Sequence, residues 1–164
     1  MDSVPSPAID VQVFPPFTRR VTKIWLRSVA QKALQSCASP TSMSVSLVIA
    51  DDDTMRDLNL RYRGYDETTD VLAFPLQEVG ENGLHGVDDF PILPNETAEL
   101  GEIVVSYLQA VRQAREAKKP VRSELALLVV HGVLHLLGYD HAEIEEERIM
   151  WAKQDEILAG VSLT

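Results

Sequence analysis

Three of the four histidines in this 164-residue chain fall within the eleven residues 131–141, a spacing that can hold a metal ion. His131 and His135 stand four positions apart in an apolar run, so on a helix they project from one face, one turn apart. Gly138 interrupts the run and permits a chain reversal that returns His141 to the pair. Three imidazoles suit one Zn²⁺ ion and leave a fourth position open for water, as in catalytic zinc sites.

Two other interpretations of this segment assign the histidines different roles. A single histidine on an apolar helix is most often a hydrogen-bonded core residue, but three unpartnered imidazoles are costly to bury. The spacing is also that of the metzincin proteases, in which a glutamate directly after the first histidine is the general base. Gly132 occupies that position here and cannot accept a proton. A zinc peptidase is therefore the disfavoured alternative on a zincin-like scaffold.

The elements that must position these histidines follow from periodicity and from residues that begin or end helices. Residues 121–137 are apolar on nearly all sides, which predicts a buried central helix. Four further helices are predicted. One runs from the N-cap Thr18 to about Ser36, and another follows the acids 51–53 and ends at Gly64. A third ends at about Lys118, and the last begins near Glu143. Strands are predicted at 9–13, 45–50, 70–75 and 101–106. The pattern predicts one α+β domain over residues 1–164, a mixed sheet of about four strands covered by about five helices.

The distribution of charge bears on the partners of the protein. The chain has 15 Lys and Arg against 25 Asp and Glu, and its net charge of −10 argues at first against a nucleic-acid partner. Residues 77–99 and 140–164 hold 13 of these acids and only 2 of the bases, so the rest is close to neutral. Arg112, Arg115 and Lys119 would share one helix face, either as a solvated surface or as a phosphate-binding patch.

Composition also bears on the compartment. Cys37 is the only cysteine, which excludes an intramolecular disulfide framework and fits a reducing compartment. No apolar run reaches the ~18 residues that a membrane span needs, and the first residues do not resemble a secretory signal. A cytoplasmic protein without a membrane partner is predicted. Residues 77–99 are predicted to form a long acidic loop insertion with His85 at its surface.

Three blocks of residues resemble one known family. HGVLHLLGYDH at 131–141 closely resembles the signature of the YbeY family, bacterial endoribonucleases or rRNA maturation factors. LNLRYRGYDETTDVLAFP at 58–75 is similar to the second block of that family, and LGEIVVS at 100–106 to its third. The histidine block is the specific one. Thr68 and Ala73 depart from the pattern, since the family commonly has Pro and Ser there.

The resemblance implies a function that spacing alone does not. It implies a single-strand-specific, metal-dependent endoribonuclease that acts in rRNA maturation, including processing of the 16S rRNA 3′ end, and in ribosome quality control. It implies one zinc ion on His131, His135 and His141, with catalytic roles for Arg63 and His131. The implied partners are rRNA, ribosomal subunits and ribosome-associated proteins, and no DNA is expected.

The chemistry leaves several alternatives open. Zinc can activate water or polarise a phosphoryl oxygen, and Arg63 can hold a phosphate through its bidentate guanidinium. The nucleophile is either water or the 2′-hydroxyl of the RNA, and Glu102 and Asp70 are candidate bases if the fold brings them near. A non-catalytic, metal-stabilised ribosome-assembly factor is the alternative to an enzyme. Trp151 is predicted to serve packing rather than base stacking.

Overall fold

The predicted α+β class is confirmed by a computed structural model, which describes residues 8–37, 42–76, 79–80, 83–84 and 97–163. The strands in these ranges are β1 (Ala8–Val13), β2 (Ser42–Ala50), β3 (Val71–Pro75), β4 (Val79–Gly80), β5 (Gly83–Leu84) and β6 (Thr97–Ser106). The helices are α1 (Lys23–Ser36), α2 (Asp52–Arg63), α3 (Tyr107–Ala117), α4 (Val121–Leu136) and α5 (Ile144–Ala159). No helix in the described ranges is both long enough and apolar enough to cross a membrane.

Four strands form a mixed sheet in the order β1-β2-β6-β3. The first three are parallel, whereas β3 runs antiparallel to β6, with Val71 opposite Val105 and Pro75 opposite Gly101. Gly101 has a φ of 144°, and a Cβ atom there would overlap the carbonyl oxygen of Phe74. Glycine at this position therefore lets the two strands approach. The short strands β4 and β5 pair only with each other.

The two faces of the sheet are covered unequally. Val45, Leu47 and Ile49 alternate onto one face, where they join α1, α4 and α5 in the main core. On the other face α2 covers a small cluster of four buried residues, Ala50, Met55, Leu72 and Val104. Helix α4 packs against α1, α3, α5, β3 and β6. The prediction of a buried central helix at 121–137 is confirmed.

The start of α1 differs from the prediction that Thr18 caps it. The helix begins at Lys23, and the side chain of Thr22 caps it by accepting from the backbone N–H of Trp25 at 3.2 Å. A 3-10 turn at Pro15–Phe17 precedes it, and the Thr18 hydroxyl donates to the Pro15 carbonyl instead. Proline fixes the φ angles of this turn, which ends before the α-helix starts.

The predicted caps of α2 are confirmed. The Asp51 side chain accepts from the Thr54 backbone N–H at 2.9 Å, which satisfies a donor that the helix itself leaves free. Gly64 ends the helix in the left-handed conformation with a φ of 79°. This end of α2 places Arg63 directly before a chain reversal.

The predicted acidic loop at 77–99 is too long at its C-terminal end. Strand β6 begins at Thr97, because residues 97–99 pair through their backbones with the start of β2. Backbone pairing needs no particular side chain, so the polar residues at 97–99 gave no indication that they belong to a strand. Residues 77–78, 81–82 and 85–96, including His85, lie outside the described residues.

Candidate metal centre and RNA cleft

The structure brings together the three histidines that the sequence nominated. One ring nitrogen from each of His131, His135 and His141 lies within 4.8 Å of the others. The first two project from α4, and their Nε2 atoms are 3.1 Å apart. The ring of His141 lies 5.6 Å from that of His131 and 5.2 Å from that of His135, measured between centroids.

A tight reversal at the end of α4 returns the third histidine. Gly138 adopts a φ of 98°, which L side chains rarely accept. Its N–H donates to the carbonyl of His135, and the N–H of Tyr139 donates to that of Leu134, so the last turn is closed. The carboxylate of Asp140 then accepts from the backbone N–H of His141 at 2.7 Å. The predicted role of Gly138 is confirmed.

The environment of the two α4 histidines favours their uncharged form. Burial lowers the pKa of His131, and burial together with the neighbouring His131 and His141 lowers the pKa of His135. The Nδ1 of His131 lies 3.1 Å from the Oε1 of Gln154, a contact that favours the tautomer with the proton on Nδ1 and the lone pair on Nε2. Facing nitrogen lone pairs repel unless a cation lies between them, and three imidazoles are a donor set that zinc accepts. The residues present therefore fit a metal ion.

A cleft of about 680 Å³ opens beside the three histidines. One side, here called the histidine wall, consists of residues 131–141 with α5 behind them. The other side, here called the arginine wall, consists of residues 62–75, which span the end of α2 and strand β3. Residues from both walls line the cleft, including Tyr62, Arg63, Asp70, Ala73, Phe74, Asp140 and the three histidines.

Arg63 is the cation of the arginine wall. Its side chain is exposed, and its guanidinium lies 5.7 Å from the ring centre of Tyr65. Among the described residues it forms no ion pair, in contrast to Arg56 and Arg61 on the same helix. A cation left without a carboxylate beside a cleft is available to an anionic ligand.

The two candidate bases lie in different places. Asp70 lines the cleft, and its negative charge acts on His131. Glu102 instead lines a separate groove of about 760 Å³ on the opposite side of β6. Side chains alternate along a strand, so Glu102 points away from the face on which Ile103 meets α4. The fold therefore brings Asp70, and not Glu102, to the histidines.

One of the three basic residues predicted to share a face of α3 is engaged by an acid of the fold. Arg112 forms a bidentate pair with the carboxylate of Asp52, at 2.8 and 3.1 Å. Neither Arg115 nor Lys119 lines the cleft. For Arg112 the interpretation as a surface residue of the fold, rather than a phosphate ligand, therefore holds.

Comparison with known proteins identifies the family of this chain. The family model described as Endoribonuclease YbeY matches residues 15–162. The chain belongs to the YbeY family. A protein named Endoribonuclease YbeY from Dehalococcoides mccartyi (strain ATCC BAA-2266 / KCTC 15142 / 195) is 45% identical over 147 residues, which are 90% of this chain and 86% of that protein. The resemblance predicted from the three blocks is thereby confirmed.

Other relatives agree with this assignment. Endoribonuclease YbeY of Geobacillus kaustophilus is 41% identical over 152 residues, which cover 90% of this chain and 93% of the relative. The solution structure of the Thermotoga maritima protein TM1509 matches with a TM-score of 0.59 and 27% identity, over 93% of this chain and 88% of that one. The similarity to YbeY proteins thus extends well beyond the histidine block.

Two residues of α5 contact the histidine group, and the sequence predicted neither contact. Gln154 contacts His131 through its amide, and the ring of Trp151 lies 5.6 Å from the rings of both His131 and His141. Trp151 does pack, as predicted, but against the rings of His131 and His141, with 40% of its surface exposed. Their spacing of three on α5 is a signal that they share a helix face, although it does not indicate what that face meets.

The structure also gives a packing reason for Gly132 in this YbeY chain. A Cβ atom there would lie 2.7 Å from the Cγ2 atom of Ile103, which belongs to the sheet beneath α4. The position that carries the catalytic glutamate in metzincins is therefore closed to any side chain unless α4 or Ile103 moves. This packing weighs further against the peptidase alternative.

Proposed function

We propose that this chain cleaves single-stranded RNA at the three-histidine cleft during the maturation of ribosomal RNA. Membership of the YbeY family makes it a metal-dependent endoribonuclease, a hydrolase whose substrate is RNA. The proposal adds His131, His135 and His141 as ligands of one zinc ion, and Arg63 and His131 as catalytic residues. It also includes 16S rRNA 3′ end processing, ribosome quality control, binding to ribosomal subunits and their associated proteins, and a place in the cytoplasm.

One observation supports this site above all others: the histidine group and an arginine that has no ion pair among the described residues line the same cleft. Phosphodiester cleavage must neutralise charge on the phosphate and activate a nucleophile. A cationic centre on one wall and a guanidinium on the other meet the first need from both sides. A zinc ion, when bound, would polarise a phosphoryl oxygen and lower the pKa of a coordinated water to about 7.

The arginine wall supplies the contacts expected for an RNA strand. The Arg63 guanidinium presents a planar pair of N–H donors that matches two phosphate oxygens. Beside it, Tyr62 is 67% exposed and lines the same cleft. The ring centroids of Tyr62 and Phe74 are 5.0 Å apart. A free aromatic face can stack on an unpaired base but not on one inside a duplex, which supports the proposed preference for single strands.

Cleavage also needs a group that holds a proton, and the carboxylates of the cleft are the candidates. Asp70 is the better placed of the two candidates that the sequence nominated, because Glu102 faces the other groove. The Asp70 carboxylate also accepts from the backbone N–H of Val71 at 2.7 Å, which fixes its orientation. We therefore assign Asp70, rather than Glu102, to hold a proton during cleavage.

Cleavage of single-stranded RNA by highly purified protein tests the proposal. Arg63→Ala and His131→Ala should each abolish most of the cleavage, whereas Arg61→Ala, an exposed arginine already paired with Asp57, should leave it intact. Equal cleavage by all preparations would indicate a contaminating nuclease and leave the assembly-factor alternative. Product ends report the nucleophile, because a 2′,3′-cyclic phosphate requires attack by the 2′-hydroxyl. Hydrolysis of casein that a chelator inhibits would revive the peptidase.

A further inference from the structure

Gln154 is a buried polar side chain that approaches the histidine centre from a different helix. It lies on α5, has 7% of its surface exposed, and places its Oε1 atom 3.1 Å from the Nδ1 atom of His131. The two residues are 23 positions apart in sequence. Its neighbours on α5, Met150 and Ile157, are buried in the main core, so the amide is held on a fixed helix face.

With its Oε1 atom facing the ring, the amide favours one of the two tautomers of His131. An amide oxygen accepts a hydrogen bond and cannot donate one, so it stabilises the Nδ1–H tautomer. The lone pair then resides on Nε2, the atom that faces His135 across 3.1 Å. In the other tautomer, the Nδ1 lone pair would face the amide oxygen, and an N–H would point into the place of the metal.

The other histidines of the centre have different kinds of support. His135 is supported by the backbone carbonyl of Tyr139, a group that every residue at position 139 supplies. The described contacts of His141 are with the aromatic rings of its neighbours. Within the described ranges, Gln154 is the side chain outside the histidine group that lies within hydrogen-bond distance of a ring nitrogen of one of the three histidines.

We propose that Gln154 is a positioning residue that fixes the tautomer and ring orientation of His131 for metal binding. The proposal rests on the proposed metal centre and deepens it. The neutral amide accepts a hydrogen bond from the Nδ1–H group without adding the negative charge that a carboxylate would bring. The three histidines therefore remain a neutral ligand set. Groups that orient metal-binding histidines in this way typically contribute 10- to 100-fold in metal affinity.

Zinc titration of the chelator-stripped protein in competition with a chromophoric chelator tests this role. Gln154→Leu should weaken zinc binding about 10- to 100-fold, since the leucine fills the space without accepting the proton. Gln154→Glu, which restores an acceptor, should recover the affinity. The matched control is Gln113→Leu, because Gln113 is a half-buried glutamine that donates to Glu124 at 2.8 Å, away from the centre. That control should keep the zinc affinity of the unchanged protein.

A second readout needs neither metal nor activity. Long-range ¹H–¹⁵N NMR correlations of the metal-free protein at mildly alkaline pH report which His131 nitrogen is protonated. The unchanged protein and Gln154→Glu should show Nδ1–H, and Gln154→Leu should show a mixture. A pure Nδ1–H signal and unchanged zinc affinity in Gln154→Leu would overturn the proposal. If the unchanged protein bound no zinc while the leucine variant still lost its tautomer preference, the metal centre would fail and the positioning role would stand.

Discussion

The histidine wall and the arginine wall face the same cleft, but the chain holds them by different means. His131 and His135 project from α4, a helix packed against five other elements and buried in the main core. Arg63 and Tyr62 lie on the exposed last turn of α2, which covers only the small second cluster. The N-terminal end of α2 is held instead by polar contacts, above all the Asp52–Arg112 pair.

This difference indicates that the two walls have different tasks, metal binding for one and RNA binding for the other. Zinc coordination requires ligand atoms fixed within a few tenths of an ångström, and a close-packed core provides such rigidity. A flexible RNA strand is better met by long, exposed side chains that can adjust to it. We therefore expect the histidine wall to be formed before RNA binds and the arginine wall to order around the substrate.

The largest expected effect comes from removing a ligand of the histidine wall. His135→Ala should weaken zinc binding by more than the about 100-fold expected for a supporting residue, and RNA cleavage should fall with it. Zinc titration and cleavage assays on the same preparation measure both. His141→Ala provides the comparison. This variant should bind zinc as weakly as His135→Ala, but because His141 is exposed, the free energy of unfolding of the metal-free protein should change less. Full zinc occupancy in His135→Ala would contradict the assignment of this wall.

On the arginine wall, Arg63→Ala should lower kcat/KM for RNA by about 10²- to 10³-fold while zinc content stays unchanged, since it removes charge stabilisation only. Arg63→Lys should recover only part of the loss, because an ammonium cannot form the bidentate pair. Steady-state cleavage together with metal analysis checks both statements. Loss of zinc from Arg63→Ala would show that the two walls are not independent.

The packing beneath the histidine wall predicts a smaller effect on stability. Gly132→Ala places a Cβ atom against Ile103 and should reduce the free energy of unfolding by about 1–3 kcal/mol. Urea denaturation of the metal-free protein measures the change. Gly132→Glu should be less stable still and should not hydrolyse peptides. A Gly132→Ala variant as stable as the unchanged protein would show that α4 is not closely packed against Ile103.

The polar anchor of the arginine wall predicts the smallest effect. The hydrogen bond from Arg112 holds the pKa of Asp52 below its ordinary value of 3.8. The ionised carboxylate therefore stabilises the fold above that pH, and this contribution is lost as the pH falls through the lowered value. Asp52→Asn should cost about 1 kcal/mol at neutral pH and progressively less below about pH 4.

Urea unfolding across this pH range tests the anchor, with Asp53→Asn as the control. Asp53 is an exposed acid in the same first helical turn, for which the described residues show no ion pair. The control should show neither the loss at neutral pH nor its pH dependence. A loss at Asp52 that did not change with pH would mean that the carboxylate charge is not what anchors α2.

Local features of this molecule could be predicted from its sequence, whereas contacts between distant segments could not. The turn at Gly138 and the caps Asp51 and Gly64 depend on a few neighbouring residues, and all three predictions are confirmed. Thr18 and Thr22 both suit an N-cap, and the preceding turn of two prolines selects between them.

The missed features depend on how remote elements pack. The contact between Gln154 and His131 exists only because α5 folds back on α4, and no local pattern encodes that docking. Similarly, the choice between Asp70 and Glu102 depends on which face of β6 receives α4. Alternation along the strand separates the two faces, but it does not identify the one that the helix covers.

The spacing of the histidines also has a consequence for how the protein folds. All three lie in one segment of eleven residues, whereas the parallel strands β1, β2 and β6 must find each other across long stretches of chain. Helical turns form far faster than such distant pairings. A metal ion can therefore meet two ligands on a single nascent turn while the sheet is still absent. Such binding to the unfolded chain would make zinc stabilise the fold by less than its affinity for the native site implies.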